Sequence, residues 1–65
     1  MNVENFFGKH KIVLIQHEIN DRTEYEIDTW HKSKGYWEAN GTFKFESLKK
    51  AVEFINDYFG KWKQS

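Results

Sequence analysis

Within residues 46–60, E-S-L-K-K-A-V-E-F-I-N-D-Y-F-G, apolar side chains recur at Leu48, Ala51, Val52, Ile55, Tyr58 and Phe59. That is the spacing of a helix with one buried face, and Phe54 widens the stripe at its flank. A helix this short is marginal alone in water, so the upstream residues must supply the surface it covers. Ser47 suits the N-cap, and Glu46 lies near the positive end of the helix dipole. Lys50 stands where a capping box would have Glu. Gly60 is a stop signal. Trp62 keeps the apolar phase one turn further, so the helix frays there or the chain folds back over its end.

Upstream, residues 11–19 read as a strand that is β-branched and apolar on both faces at its start. Asn20-Asp21-Arg22 follows with turn chemistry. Residues 23–31 alternate, with Tyr25, Ile27 and Thr29 on one side and Glu24, Glu26 and Asp28 on the other. A three-residue loop predicts Ile19 opposite Thr23, Ile15 opposite Ile27 and Val13 opposite Thr29, with Ile12 meeting Trp30 on the reverse side. Residues 31–35 form the next connection. Asn40-Gly41 could turn a hairpin, but one strand over 36–45, bulged at Gly41, separates apolar from polar far better. Pairing His31 with Trp37 sets Tyr25 opposite Phe43 and Glu24 opposite Lys44. In residues 1–9, Val3, Phe6 and Phe7 suit one short helical turn ending at Gly8.

The expected fold is α+β: a three-stranded antiparallel β-meander with one C-terminal helix packed across one face and a short N-terminal helical turn. One domain spans 1–65, with an N-terminal segment (1–9), the sheet (11–45), the helix (47–60) and a tail (61–65). The inward set is Val13, Ile15, Tyr25, Ile27, Trp37, Phe43 and Phe45. Sixty-five residues bury only about 60% of their unfolded surface. With no cysteine to staple the chain, its six Phe, three Tyr and three Trp must supply the bulk, roughly 1.5–3 kcal/mol or more for each one fully buried.

No apolar run approaches the roughly 18 residues of a membrane span, and lack of cysteine suits a reducing compartment, so a soluble cytoplasmic protein is expected. Ten basic and ten acidic residues cancel, whereas dedicated nucleic-acid binders carry a basic excess. The balance is uneven along the chain. Residues 1–30 hold Lys9, Lys11 and Arg22 against Glu4, Glu18, Asp21, Glu24, Glu26 and Asp28, and the basic excess lies after residue 30.

His10, His17 and His31 have no paired cysteine and no metal-ligand spacing, so they read as ordinary histidines. No Ser, Thr or Lys stands in a nucleophile motif and there is no phosphate loop. The chain therefore reads as a non-enzyme with no cofactor. The informative surface is the sheet face turned from the helix. Its expected members are Ile12, Leu14, Gln16 and Glu18, then Glu24, Glu26, Asp28, Trp30 and Lys32, then Tyr36, Glu38, Asn40, Thr42 and Lys44. The face is acidic, with an apolar corner of Ile12, Leu14, Trp30 and Tyr36 that Phe6 or Phe7 could cover. An aromatic anchor beside charge is the make-up of an interface hot spot.

The expected function is a small interaction module or inhibitor that binds a protein partner, a basic one included, through Ile12, Leu14, Glu24, Glu26, Asp28, Trp30, Tyr36 and Glu38. Small acidic-faced blockers of this kind occur among phage and mobile-element accessories, an analogy of size and charge. One alternative is a nucleic-acid-binding domain contacting phosphates through Lys32, Lys34, Lys49 and Lys50. Another is a homodimer joined through the apolar corner.

Residues 41–51, from Gly41-Thr42-Phe43 to Ala51, resemble the sheet end and helix start of plant AP2-type and integrase arm-type DNA-binding domains. Those set the open sheet face on DNA, which an acidic face opposes. The order of short helix, three strands and helix is similar to double-stranded-RNA-binding domains, with Lys49 and Lys50 at the matching helix start. Their longer first helix and alanine-rich helix face are absent, and neither likeness transfers functional residues.

Overall fold

In the computed structural model, which describes residues 2–64, each strand connection is a two-residue turn. Asn20 and Asp21 have φ of 48° and 65°, and Lys34 and Gly35 have 52° and 87°. Two consecutive positive φ angles make the hairpin turn whose twist matches its flanking strands. Gly8, at φ 60°, leads the remaining turn, in the glycine-first pattern of such loops. These turns join β1 (Asn2–Phe7), β2 (His10–Ile19), β3 (Arg22–Ser33) and β4 (Tyr36–Phe45), and α1 (Leu48–Tyr58) follows. The strands pair antiparallel in chain order as one four-stranded meander, with the helix on one face.

The class is α+β with a C-terminal helix, as expected, but there are four strands and no N-terminal helical turn. Residues 2–7 alternate exposed and half-buried, the period of a strand, and pair from Asn2↔Ile15 to Phe7↔His10. Val3, Asn5 and Phe7 point to the helix side. Glu4 and Phe6 point away.

The two-residue turn at Asn20–Asp21 also corrects the register of β2. Ile19 pairs with Arg22, Leu14 with Ile27 and Ile12 with Thr29. A slip of one residue exchanges the two faces of a strand. Ile12 and Leu14, expected in the outward corner, are therefore fully buried under the helix, and Val13 and Ile15 turn outward. Ile12 and Leu14 form the core with Ile27, Ala51, Ile55 and Trp62, flanked by Val3, Phe7, Tyr25, Phe45 and the aromatic side chains of the helix.

Residues 36–45 are one strand, with Asn40 as the extra residue of a bulge. Thr29 pairs with Gly41 and Trp30 with Ala39. Tyr25 pairs with Phe45 and Ile27 with Phe43, two positions from the expected pairing, so Phe43 and Phe45 keep the helix face. Beyond the bulge the faces exchange. Trp37 joins Lys32 on the open side, and Tyr36 and Glu38 pass to the helix side. Thr29, only 2% exposed, satisfies its hydroxyl by donating to the Gly41 carbonyl at 3.1 Å.

The Ser47 side chain accepts from the Lys50 N–H at 3.1 Å, as an N-cap should. Phe54 stacks against Phe43, Phe45 and Tyr58 at centroid distances of 4.8, 5.4 and 4.9 Å, so it is a packing centre rather than a flank. After the helix the chain does fold back. The Trp62 N–H donates to Asn56 Oδ1 at 2.8 Å, and its indole enters the core at 8% exposure. Asn5 of β1 grips the tail twice, accepting from the Lys63 N–H at 2.7 Å and donating to its carbonyl at 2.9 Å. A Cβ on Gly60 would lie 2.7 Å from the Phe7 ring, so only glycine lets the tail pass that close.

Candidate interaction surface

Pairing partners share a face, and successive residues alternate, so the open side of the sheet can be assembled row by row. At the β3–β4 turn end lie Lys32 and Trp37. The next row is Phe6, Lys11, Trp30 and Ala39, followed by Glu4, Val13, Asp28 and Thr42. Asn2, Ile15, Glu26 and Lys44 come next, then His17 with Glu24, and Ile19 with Arg22 at the β2–β3 tip.

The first two rows make an aromatic and cationic cluster. Lys11 Nζ lies 4.8 Å from the Trp30 ring centroid and 5.4 Å from that of Trp37, and Lys32 Nζ is 5.6 Å from Trp37. These are cation–π distances. Phe6 and Trp37, from the two edge strands, meet at 5.8 Å over the sheet. Trp30, Trp37 and Lys11 are half-buried, and Phe6 remains 57% exposed. Lys9 and Lys34 sit in the turns at the same end. The Lys9 carbonyl accepts from the Lys32 N–H at 2.8 Å.

The following rows carry the carboxylates. Glu4 and Asp28 flank Val13 in a row with no cation, and Asp28 accepts from the Thr42 hydroxyl at 3.2 Å. Glu26 lies across from Lys44 and 3.2 Å from His17 Nε2. Glu24 pairs with Arg22 at 2.8 Å, at the exposed tip of the hairpin, where an ion pair contributes little to stability. Val13 and Ile15 lie half-buried among these charges. The result is a face with a basic aromatic end and an acidic remainder.

Of the residues expected to bind a protein, Glu24, Glu26, Asp28 and Trp30 share this face. Ile12 and Leu14 are in the core, and Tyr36 and Glu38 lie exposed on the other side. Sequence reasoning missed Lys11, Val13, Ile15 and Trp37 on this face, and had Phe6 only as a cover for the expected apolar corner. The signal that finds the β2 members is Asn20-Asp21 read as a two-residue turn, which puts Lys11 beside Trp30.

The comparisons with family models, curated proteins and solved structures give no match.

The alternative set of phosphate-contacting lysines is not brought together. Lys32 at the end of β3 and Lys34 in the β3–β4 turn lie at the end of the sheet where β4 starts, and Lys49 and Lys50 open the helix beyond the far end of β4. The ten residues of that strand span roughly 33 Å at about 3.3 Å per residue. Among the described residues no group of three or more His, Cys, Asp or Glu could hold a metal ion, and no helix is long and apolar enough to cross a membrane. His10 packs against His31 and Phe59 at 5.7 and 5.5 Å on the helix side, its Nδ1 buried without a hydrogen-bond partner. His17 is on the open face with Glu26.

Proposed function

We propose that this chain is a small, non-enzymatic interaction module of the cell interior that recognises a protein partner through the open face of its sheet. The observation that carries this reading is the cluster of Phe6, Trp30 and Trp37 around Lys11, set directly against the carboxylates of Glu4 and Asp28. Aromatic rings that are already ordered lose little entropy on contact, and neighbouring charge supplies specificity and speed of encounter. The helix and tail occupy the other face, so binding here needs no rearrangement of the core.

Trp30→Ala and Glu26→Lys should each weaken partner capture by about tenfold or more while leaving the circular dichroism of the domain intact. Pull-downs that recover the same partners with both variants as with the native chain would sink the proposal.

A second reading, nucleic-acid contact, is favoured by Lys9, Lys11, Lys32 and Lys34 at one end of the sheet beside two indole rings. Single strands bind such combinations by stacking bases and neutralising phosphates. It predicts a gel shift that fades with salt and is lost in Lys11→Glu/Lys32→Glu but kept in Lys49→Glu/Lys50→Glu. No shift with either single- or double-stranded nucleic acid disposes of it.

A further inference from the structure

We propose that the open face pairs with the same face of a second copy of this chain, in a two-fold dimer with opposed strand directions. The inference rests on the reading of this face as a protein-recognition surface and names its occupant.

Charge is the first argument. Let the two-fold axis lie in the interface plane, crossing the strands at Thr29 of β3. Each row then meets its mirror across that line. The row of Phe6, Lys11 and Trp30 faces the partner row of Glu4, Val13 and Asp28, and Lys32 faces Glu26. Lys11 of each copy sits over Val13 of the other, between two carboxylates. In an arrangement that superposes like ends, lysine meets lysine and carboxylate meets carboxylate. One orientation is therefore selected, and closed two-fold symmetry satisfies both halves at once. The formal net charge of zero leaves no overall repulsion between copies.

Area sets the strength of the contact. About the axis row of Asn5, Ile12, Thr29 and Gly41, β1 and β2 overlap for five residues and β3 and β4 for nine, which at about 3.3 Å per residue and about 4.8 Å between strands presents roughly 440 Å² per copy. Two such faces give about 900 Å² in total, the size of a weak and transient contact rather than a standard interface. Val13, Trp30 and Trp37, each half-buried in the single chain, would lose their remaining contact with water. Sheets packed face to face keep their strands within about 30° of alignment, so the rows beside the axis stay opposed, and the outer rows shift sideways by about one strand spacing, within reach of a lysine side chain. An interface of this size gives a reversible dimer that depends on concentration and weakens with salt.

Sedimentation across about a hundredfold range of concentration tests the proposal. The native chain should pass from monomer to dimer. Lys32→Glu alone and Glu26→Lys alone should each raise the dissociation constant by at least about tenfold, since each sets like charges together twice. Mixed in equal amounts they should recover the dimer, because both contacts are then opposite in sign. Should either variant fail to fold by circular dichroism, Lys11→Glu with Asp28→Lys forms a second complementary pair. A native chain that stays monomeric throughout, or a mixture no better than its components, overturns the dimer. If that monomer still captures another protein through Trp30 and Glu26, self-pairing falls while the protein-recognition reading stands. Capture abolished by nuclease removes both.

Discussion

Ile12 and Ile15 are the same side chain three positions apart on one strand. Ile12 is fully enclosed, while Ile15 lies on the open face beside Glu26. Truncating Ile12 to Ala removes buried methyl groups and leaves a cavity, at a cost of about 2–5 kcal/mol. That is a large share of the roughly 5–15 kcal/mol that holds such a domain together. Ile15→Ala should cost about 1 kcal/mol or less. Urea unfolding of the two variants at high dilution checks the contrast, and equal losses would contradict the face assignment. Trp62 belongs with Ile12: it lies in the tail two residues past Gly60, yet its indole enters the core.

At the scale of elements, the turns decide more than the strands do. Lys34 holds φ 52°, a region a lysine occupies only with strain and asparagine enters readily. Lys34→Asn creates the favoured Asn-Gly hairpin turn, and should raise stability by about 0.5–1 kcal/mol in thermal or urea unfolding. The helix was legible in the sequence, but Tyr58, expected on its buried face, is 72% exposed, and Phe54, expected at the flank, is the packing centre. Its period depends only on its own residues, and Ser47 caps it as expected. Two-state alternation also revealed β3 and kept Phe43 and Phe45 on the right side. What failed was counting residues in loops. Giving Arg22 to a turn that uses only Asn20 and Asp21 exchanged the faces of β2, removed Lys11 from the candidate site and placed Ile12 and Leu14 in it. β1 was hidden by its two adjacent phenylalanines, which blur a period of two. The extra residue at Asn40 exchanged Trp37 with Tyr36, and a bulge of that kind is a tertiary choice that residue types alone only suggest.

For the whole molecule, the ends of the described chain are joined in space. Asn5 and Lys63, 58 positions apart, exchange two hydrogen bonds, and the tail so held keeps Trp62 over the core. Asn5→Ala removes both bonds at an expected cost of about 1–3 kcal/mol. Amide exchange should accelerate at residues 61–64 while β2 and β3 stay protected, and uniform acceleration would show that the tail and sheet open as one unit. The order of assembly follows from the same contact. Each two-residue turn closes a local hairpin in about 1–10 μs, whereas the Asn5–Lys63 clasp must wait for the helix to form and the tail to reverse direction. A clasp held by two hydrogen bonds at an exposed edge belongs to the low-stability end of the molecule. The native chain would then spend a small fraction of its time with the sheet and helix intact, Trp62 swung out, and a peptide segment exposed to any protease that meets it.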